Sequence, residues 1–382
     1  MSVDVLHITH TDVRTDSRIL KEINCLSSCG YSVAAAGIEF DEGGRGGYIC
    51  PNIDLITLIV KSNKLRAISY VPRLLIYFMI VLEITLKMYS AIRDLKPKII
   101  HCHDTLVLPV GYIYKIFNDC KLVYDAHELE SNKNGTTKVG GFLTFLVEYL
   151  IWPKIDAFIT VSHAIRDWYS SKLCSKLLSE VIFNSPILNE SAPSNTSYLR
   201  EKYSIPASSN IFIYVGILGE GRFIDELLKV FQSQKISSHI VFLGYGSLVS
   251  SIQEASVLSE KIHYHEAVRH DEMLPIISSA NFGLCLLPDV SLSDFYCLPN
   301  KFFEYVFAGV PVLSSKLPEI ERVIREKRLG VSTDLSVEAV ESAILKLEDG
   351  CDVSNFDRAN IYEFSWEAQQ IKLNDMYSKM FK

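Results

Sequence analysis

The stretch from Leu298 to Val312, LPNKFFEYVFAGVPV, carries the most pointed chemistry in the chain. Pro299 ends an irregular segment, Lys301–Phe307 has the apolar spacing of a short helix, and Gly309 suits a left-handed stop, because glycine pays no Cβ penalty there. Pro311 then opens a buried strand. A helix that begins directly after a loop aims unpaired backbone N–H groups and the positive end of its dipole at whatever lies in front, which favours a phosphate. Lys301 adds a cation at that end. Glu304, one turn in, is placed to accept hydrogen bonds from the paired hydroxyls of a sugar; an amphipathic helix with a solvated glutamate is the plainer alternative.

Other polar clusters follow apolar runs, where open parallel sheets collect their ligands. His103 and Asp104 end the run from Pro97, and His127 ends the run from Lys121. His101 is assigned to the other face of its strand and to a structural role. Thr9–Arg18, THTDVRTDSR, brings Arg14, Asp16 and Arg18 after the first run; a helix cap with surface charges accounts for them equally well. Arg222 closes the glycine-rich turn GILGEGR from Gly216. A guanidinium suits a diphosphate because it offers bidentate donors and stays charged, and such turns are common phosphate sites. A surface salt bridge is the alternative for Arg222, and a strand-end cap bonded to backbone is the alternative for His127.

These groups need elements to hold them, and β-rich runs alternating with helical patterns imply parallel sheets with crossover helices. Strands are expected at Val3–Thr9, Tyr31–Gly37, Pro97–Asp104, Lys121–Glu128, Asp156–Val161 and Val181–Ser185. A second series is expected at Asn210–Gly216, His239–Gly244, Lys261–His265 and Phe282–Leu287. Asp16-Ser17 caps a helix over Arg18–Cys29 that Gly30 closes, Ser162 caps another, and Leu274–Ala280 forms a third. The polar stretch from Asn184 to about Asn210, with a short helix near Tyr198–Tyr203, is the linker candidate. Two α/β units of similar size suggest two Rossmann-like domains facing across a cleft. The boundaries expected are 1–186, 187–364 and a final helix, 365–382, crossing back to the first domain.

The 382 residues, 48% hydrophobic and 22% charged, suit a core-forming protein of two domains. Nine cysteines without CxxC or CxxH spacing point to reduced thiols in the cytoplasm and away from a cysteine zinc site. No signal peptide is expected, and no run reaches about 18 uninterrupted apolar residues. Against a net charge of −7, the span Lys61–Lys98 holds eight Lys and Arg against Glu83 and Asp94, a local balance of +6. Such a basic, aromatic, amphipathic segment suits the cytoplasmic face of an inner membrane, and packing on the sheet is the alternative. No Walker A loop, HExxH, GxSxG or metal-holding D-x-D pair occurs, and no nucleic-acid partner is expected.

LPNKFFEYVFAGVPVLSS resembles the donor-site segment of GT-B glycosyltransferases of family 4, which are retaining. The resemblance implies that Glu304 holds the donor's ribose and that the helix N-terminus, with Asn300, Lys301 and Phe302, faces the diphosphate. The YDAHE run, Tyr124–Glu128, is similar to the family's histidine loop, which implies that His127 touches the transferred sugar. The turn from Gly216 resembles the segment whose cations neutralise the leaving diphosphate; Arg222 survives, while Ile217 stands where an arginine is usual. Gly244 lies in a G-x-G turn, and the segment around Val268 is where relatives lay the nucleobase. The opening THTDVRTDSR is similar to the group's first loop, so Arg14, Asp16, Arg18, His103 and Asp104 are acceptor-side candidates. The family's usual second glutamate is replaced by Tyr296, with Asp294 as the nearest acid.

The resemblance thus implies metal-independent transfer from a UDP- or GDP-type nucleotide sugar to a saccharide or lipid-linked acceptor in surface polysaccharide assembly, with domain closure limiting hydrolysis. The nucleotide sugar is a substrate, and no cofactor is expected. A nucleotide-sugar epimerase of the same fold and a non-catalytic nucleotide-sugar binder are the rivals.

Overall fold

The structure is a computed structural model that describes residues 3–39, 53–60, 73–173, 176–187, 197–350 and 358–382. The chain divides into two compact units, Met1–Phe183 with Gln370–Lys382, and Asn184–Gln369.

In the first unit, strands β1 (Val5–Ile8), β2 (Val33–Glu39), β3 (Asp54–Ile59), β4 (Ile99–His103), β5 (Lys121–Ala126), β6 (Ala157–Thr160) and β7 (Leu178–Val181) form one sheet in the order β3-β2-β1-β4-β5-β6-β7. Every pairing is parallel. Helices cover both faces of such a sheet, which is why β1 and β4 are buried along their whole length. The helix Ser17–Ser28 starts where Asp16 accepts from the N–H groups of Arg18 and Ile19. It ends before Gly30, whose φ of 91° only glycine adopts cheaply. The helix Trp366–Phe381 brings Tyr377 to 2.7 Å from His101 Nδ1 and stacks Phe381 on Tyr31 at 4.8 Å. β7 begins three residues earlier than the expected run from Val181, because Leu178–Val181 supplies the edge that β6 pairs with.

The helix Arg73–Ile92 buries Ile76, Ile80, Ile84, Met88 and Ile92, a four-residue spacing that makes one stripe. Its other face is also apolar and exposed, with Leu75, Phe78, Leu82 and Leu86. The span Leu75–Ile92 is long and apolar enough to cross a membrane by length and composition, and 33% of it is buried. Lys61, Lys64 and Arg66 of the basic segment lie outside the described residues.

The second unit holds β8 (Ile211–Ile217), β9 (His239–Tyr245), β10 (Ile262–Glu266), β11 (Phe282–Cys285), β12 (Val312–Ser315) and β13 (Gly330–Thr333), again all parallel, in the order β10-β9-β8-β11-β12-β13. Aromatic side chains fill one face, with Phe212 stacked on Phe282 at 4.9 Å and Phe231 against Phe212 at 5.7 Å. The helix expected from Leu274 starts at His270, since the Glu272 carboxylate accepts from the Arg269 N–H and caps a turn that Pro275 does not break.

Strand order reverses between β1 and β4 in one sheet and between β8 and β11 in the other, the places where parallel sheets open a crevice. At the second reversal the crevice is held open by a side chain. The Tyr305 hydroxyl accepts from Val215 N–H at 2.9 Å and donates to Leu284 C=O at 3.2 Å, taking the ladder's place beyond the short β8–β11 pairing. Tyr305→Phe leaves both buried backbone groups without that partner. The expected cost is about 1–3 kcal/mol, read as a fall in melting temperature with an unchanged circular dichroism spectrum. An unchanged melting temperature would mean that the strands close without the hydroxyl.

Candidate functional site

At the first reversal the candidates gather around Asp125, a fully buried carboxylate in an apolar strand. Such a charge persists only if paired. Arg18 grips it with both ends of the guanidinium, Nε to Oδ2 at 3.0 Å and Nη2 to Oδ1 at 2.9 Å, and gives its remaining arm to Ile182 C=O at 2.8 Å. Arg18 is therefore buried in the unit. Asp125 Oδ2 also lies 3.3 Å from His127 Nε2 and 3.5 Å from His103 Nδ1.

His127 follows β5 and is partly exposed. Burial alone would lower its proton affinity, but the carboxylates of Asp104 and Asp125 outweigh that and raise its pKa to about 10. His103 is the opposite case: burial and the neighbouring His101 hold it down at about 3, so it is neutral; its Nδ1 lies 3.1 Å from His127 Nε2 and 3.5 Å from Asp125 Oδ2. Asp104 stands at the end of β4 with φ 67°, a left-handed conformation that costs a non-glycine residue energy and recurs at functional sites. Its Oδ1 accepts from His127 N–H at 3.3 Å, and Oδ2 lies 3.6 Å from His10 Nδ1.

Arg14 and Asp16 sit in the loop after β1 with other partners. Arg14 binds Asp12 at 2.8 Å and Glu39 at 2.9 Å, and Asp16 caps its helix. His101 shares a face with His103, because residues two apart on a strand point the same way; the rings stack at 4.3 Å, so the expected opposite face is corrected.

In the second unit the helix Asn300–Phe307 begins after Pro299 with no side chain capping its first turn. Lys301 lies in that turn. Its ammonium is buried, has no hydrogen-bond partner among the described residues and sits 4.0 Å from the centre of the Tyr214 ring. Gly216, at φ 125°, is beside it: a Cβ there would come within 4.0 Å of Nζ. Gly244 packs so closely that a Cβ would meet Gly216 O at 1.9 Å, because the two glycines pair with each other at the ends of β8 and β9.

Arg222 is half-buried in the turn after β8, and among the described residues no acid pairs with it. Phe223 after it is left-handed, at φ 61°. Glu304 is half-buried one turn into the helix, Asn300 is exposed at its start, and Phe302 is buried in the core edge-on to Phe303. Val268 lies in the loop after β10. Asp294 accepts from the Ser291 hydroxyl at 2.7 Å. Asp125 has a sign in the sequence, since a lone acid inside an apolar run points to buried pairing, whereas Glu22, next to Lys21 in an amphipathic helix, has none. Among the described residues, two groups have the donor atoms to hold a metal ion: His7, Glu22, His101 and His103, and His103, Asp125 and His127.

The raised pKa of His127 sets a sign. Its folded pKa exceeds the unfolded value near 6.5, so its stabilisation is complete below about pH 6.5 and is lost as pH rises through about 10. His127→Gln is expected to remove that alkaline decline in melting temperature. An equal decline in the variant would assign the titration elsewhere.

Residues 52–184 match the family model Glycosyltransferase Family 4. No curated protein matches the sequence. Among solved structures, sucrose-phosphate synthase (tll1590) from Thermosynechococcus elongatus superposes with a TM-score of 0.78 at 15% identity, covering 99% of each chain. Anabaena Alr3699/HepE in complex with UDP-glucose gives 0.69 at 13% identity over 98% of this chain and 99% of that one. WaaG, a glycosyltransferase involved in lipopolysaccharide biosynthesis, gives 0.64 at 12% over 96% of this chain and 99% of its own. The chain has the GT-B fold of these structures, and within it residues 52–184 match the glycosyltransferase family 4 model.

Proposed function

We propose that the chain is a retaining, metal-independent glycosyltransferase that moves a hexose-type sugar from a nucleotide sugar to a hydroxyl of a lipid-linked saccharide, in capsule, O-antigen or exopolysaccharide assembly. The observation that carries this reading is Lys301: a buried ammonium without a hydrogen-bond partner, at an uncapped helix start beside Gly216. Burying such a charge is costly unless an anion completes it, and the leaving diphosphate is that anion. The UDP-glucose complex of the Anabaena relative supports a UDP-type donor over a GDP-type one.

In this reading Lys301, the helix N–H groups at Asn300 and Phe302, and Arg222 take up charge on the departing diphosphate. Glu304 accepts from the ribose hydroxyls, and the turns at Gly216 and Gly244 let the donor approach the backbone. The base lies along the loop at Val268. His127, held protonated by Asp104 and Asp125, orients the donor sugar, and Asp294 stands in for the acid that Tyr296 replaces. The anomeric carbon's bond to the phosphate oxygen breaks as its bond to the acceptor oxygen forms on the same face, and the leaving phosphate takes the acceptor's proton. Arg14, Asp16 and Asp104 face the acceptor, whereas buried Arg18 and His103 act through Asp125 and His127.

The membrane part of the reading rests on an apolar groove of about 630 Å³ between the helices Arg73–Ile92, Leu108–Phe117 and Lys138–Ile151, lined by Leu75, Phe78, Val81, Pro109, Leu146 and Leu150. Phe78 and Leu150 of this lining are each more than 60% exposed. So large an apolar patch suits a bilayer surface on the cytoplasmic side.

Lys301→Ala is expected to weaken UDP binding by about 1.5–3 kcal/mol, on the order of 10- to 150-fold by calorimetry. In the wild type, nucleoside diphosphate should appear only when acceptor is present. Release or epimerisation of the donor alone, or binding without turnover across donors and acceptors, would overturn the transferase reading. Phe78→Ser with Leu86→Ser should reduce flotation with anionic vesicles and leave UDP binding unchanged; unaltered flotation would remove the membrane surface from the proposal.

A further inference from the structure

Three side chains from three elements meet in the core of the first unit with their polar ends unsatisfied. His7 on β1 and His101 on β4 are direct partners across the parallel pair, with ring centres 4.6 Å apart. Glu22 comes from the helix Ser17–Ser28 above them. All three are fully buried, and among the described residues His7 Nε2, His101 Nε2 and both carboxylate oxygens of Glu22 lack hydrogen-bond partners. Orphaned buried polar atoms are rare and costly, and four in one place require an explanation.

The other ring nitrogens are already engaged. His101 Nδ1 lies 2.7 Å from the Tyr377 hydroxyl, and His7 Nδ1 lies 2.9 Å from His103 Nε2. With Nδ1–H donating in each contact, the Nε2 lone pairs are left free, which is how an outer shell orients imidazoles that ligate a metal. His101 Nε2 is 3.7 Å from Glu22 Oε2, and one donor atom each from His7, Glu22, His101 and His103 lie within 4.8 Å of one another. Ligands about 2.0–2.1 Å from zinc stand closer together than that, so an ion would draw the group inward by about an ångström.

We propose that His7, Glu22 and His101 form a structural site for a zinc-like divalent cation, with His103 holding the His7 ring in place. Two imidazoles and one carboxylate are the donor types of such ions. The local charges admit a cation. Arg18 Nε is 3.2 Å from Glu22 Oε1, but its N–H groups are directed to Asp125 and to Ile182 C=O. His127, the other cation, lies between the carboxylates of Asp104 and Asp125. The bound ion would tie β1, β4 and the first helix together beneath His103 and His127. It takes no part in sugar transfer. Cysteine spacing and acidic pairs do not reveal it, because its donors lie on separate elements.

The test is a zinc titration of the full chain, freed of metal by chelator and dialysis, against a chromophoric competitor. The expected result is one equivalent bound, a raised melting temperature and, with cobalt, visible absorption of a tetrahedral nitrogen–oxygen site. His7→Gln and His101→Gln should each weaken binding at least about tenfold. His239→Gln should not; it tests the pair His239–His263, 3.0 Å apart, as the source of binding. Less than one equivalent on folded wild-type protein, or loss of binding only in His239→Gln, overturns the assignment. If the core variants fail to fold, the wild-type stoichiometry and cobalt spectrum decide it.

Discussion

The grip of Arg18 on Asp125 is the interaction on which the first unit's polar interior depends. A carboxylate with no exposure, set in the apolar strand β5, persists because a guanidinium meets both of its oxygens. The pair also joins parts of the chain that are far apart in sequence: the first helix, the middle strand and, through Ile182 C=O, the end of β7's neighbourhood. Asp125 then has its remaining reach for histidines, and the split in their proton affinities follows. His127 sees two carboxylates and holds its proton, whereas His103 sees mainly apolar surroundings and another imidazole and does not.

The second unit solves a related problem with a neutral group. Its reversal of strand order leaves β8 and β11 paired over two residues only, and the Tyr305 hydroxyl substitutes for the missing ladder bonds. The same helix carries Lys301 and Glu304, so the residue that holds the crevice open and the residues offered to a ligand share one rigid element. Gly216 and Gly244 complete the arrangement, because any Cβ at Gly244 would strike the backbone of Gly216 on the neighbouring strand.

Much of the fold was legible because local signals agreed with it. The Asp16 cap, the Gly30 and Gly309 stops and the apolar runs of β1, β4, β5, β8 and β9 are each a local choice that matches the global arrangement. Edges were harder: β3 and β13 are half-exposed or exposed strands with weak patterns, and neither was anticipated. The helix from His270 starts four residues before the expected Leu274, because its first turn is capped by Glu272 binding back to Arg269 N–H.

The sequence by itself determined that two parallel α/β sheets form, that Lys301 and Glu304 share one helix turn apart, and that polar groups gather at strand ends. Those follow from spacing, which is a property of neighbours in the chain. Tertiary structure alone decided that Arg18 turns inward to Asp125, that His101 and His103 stack together against His7, and that the Lys301 ammonium is buried over the Tyr214 ring with no hydrogen-bond partner among the described residues. Those depend on which distant backbone segments lie side by side once the apolar surface is buried, and the electrostatics of each group are set by that proximity rather than by its place in the sequence.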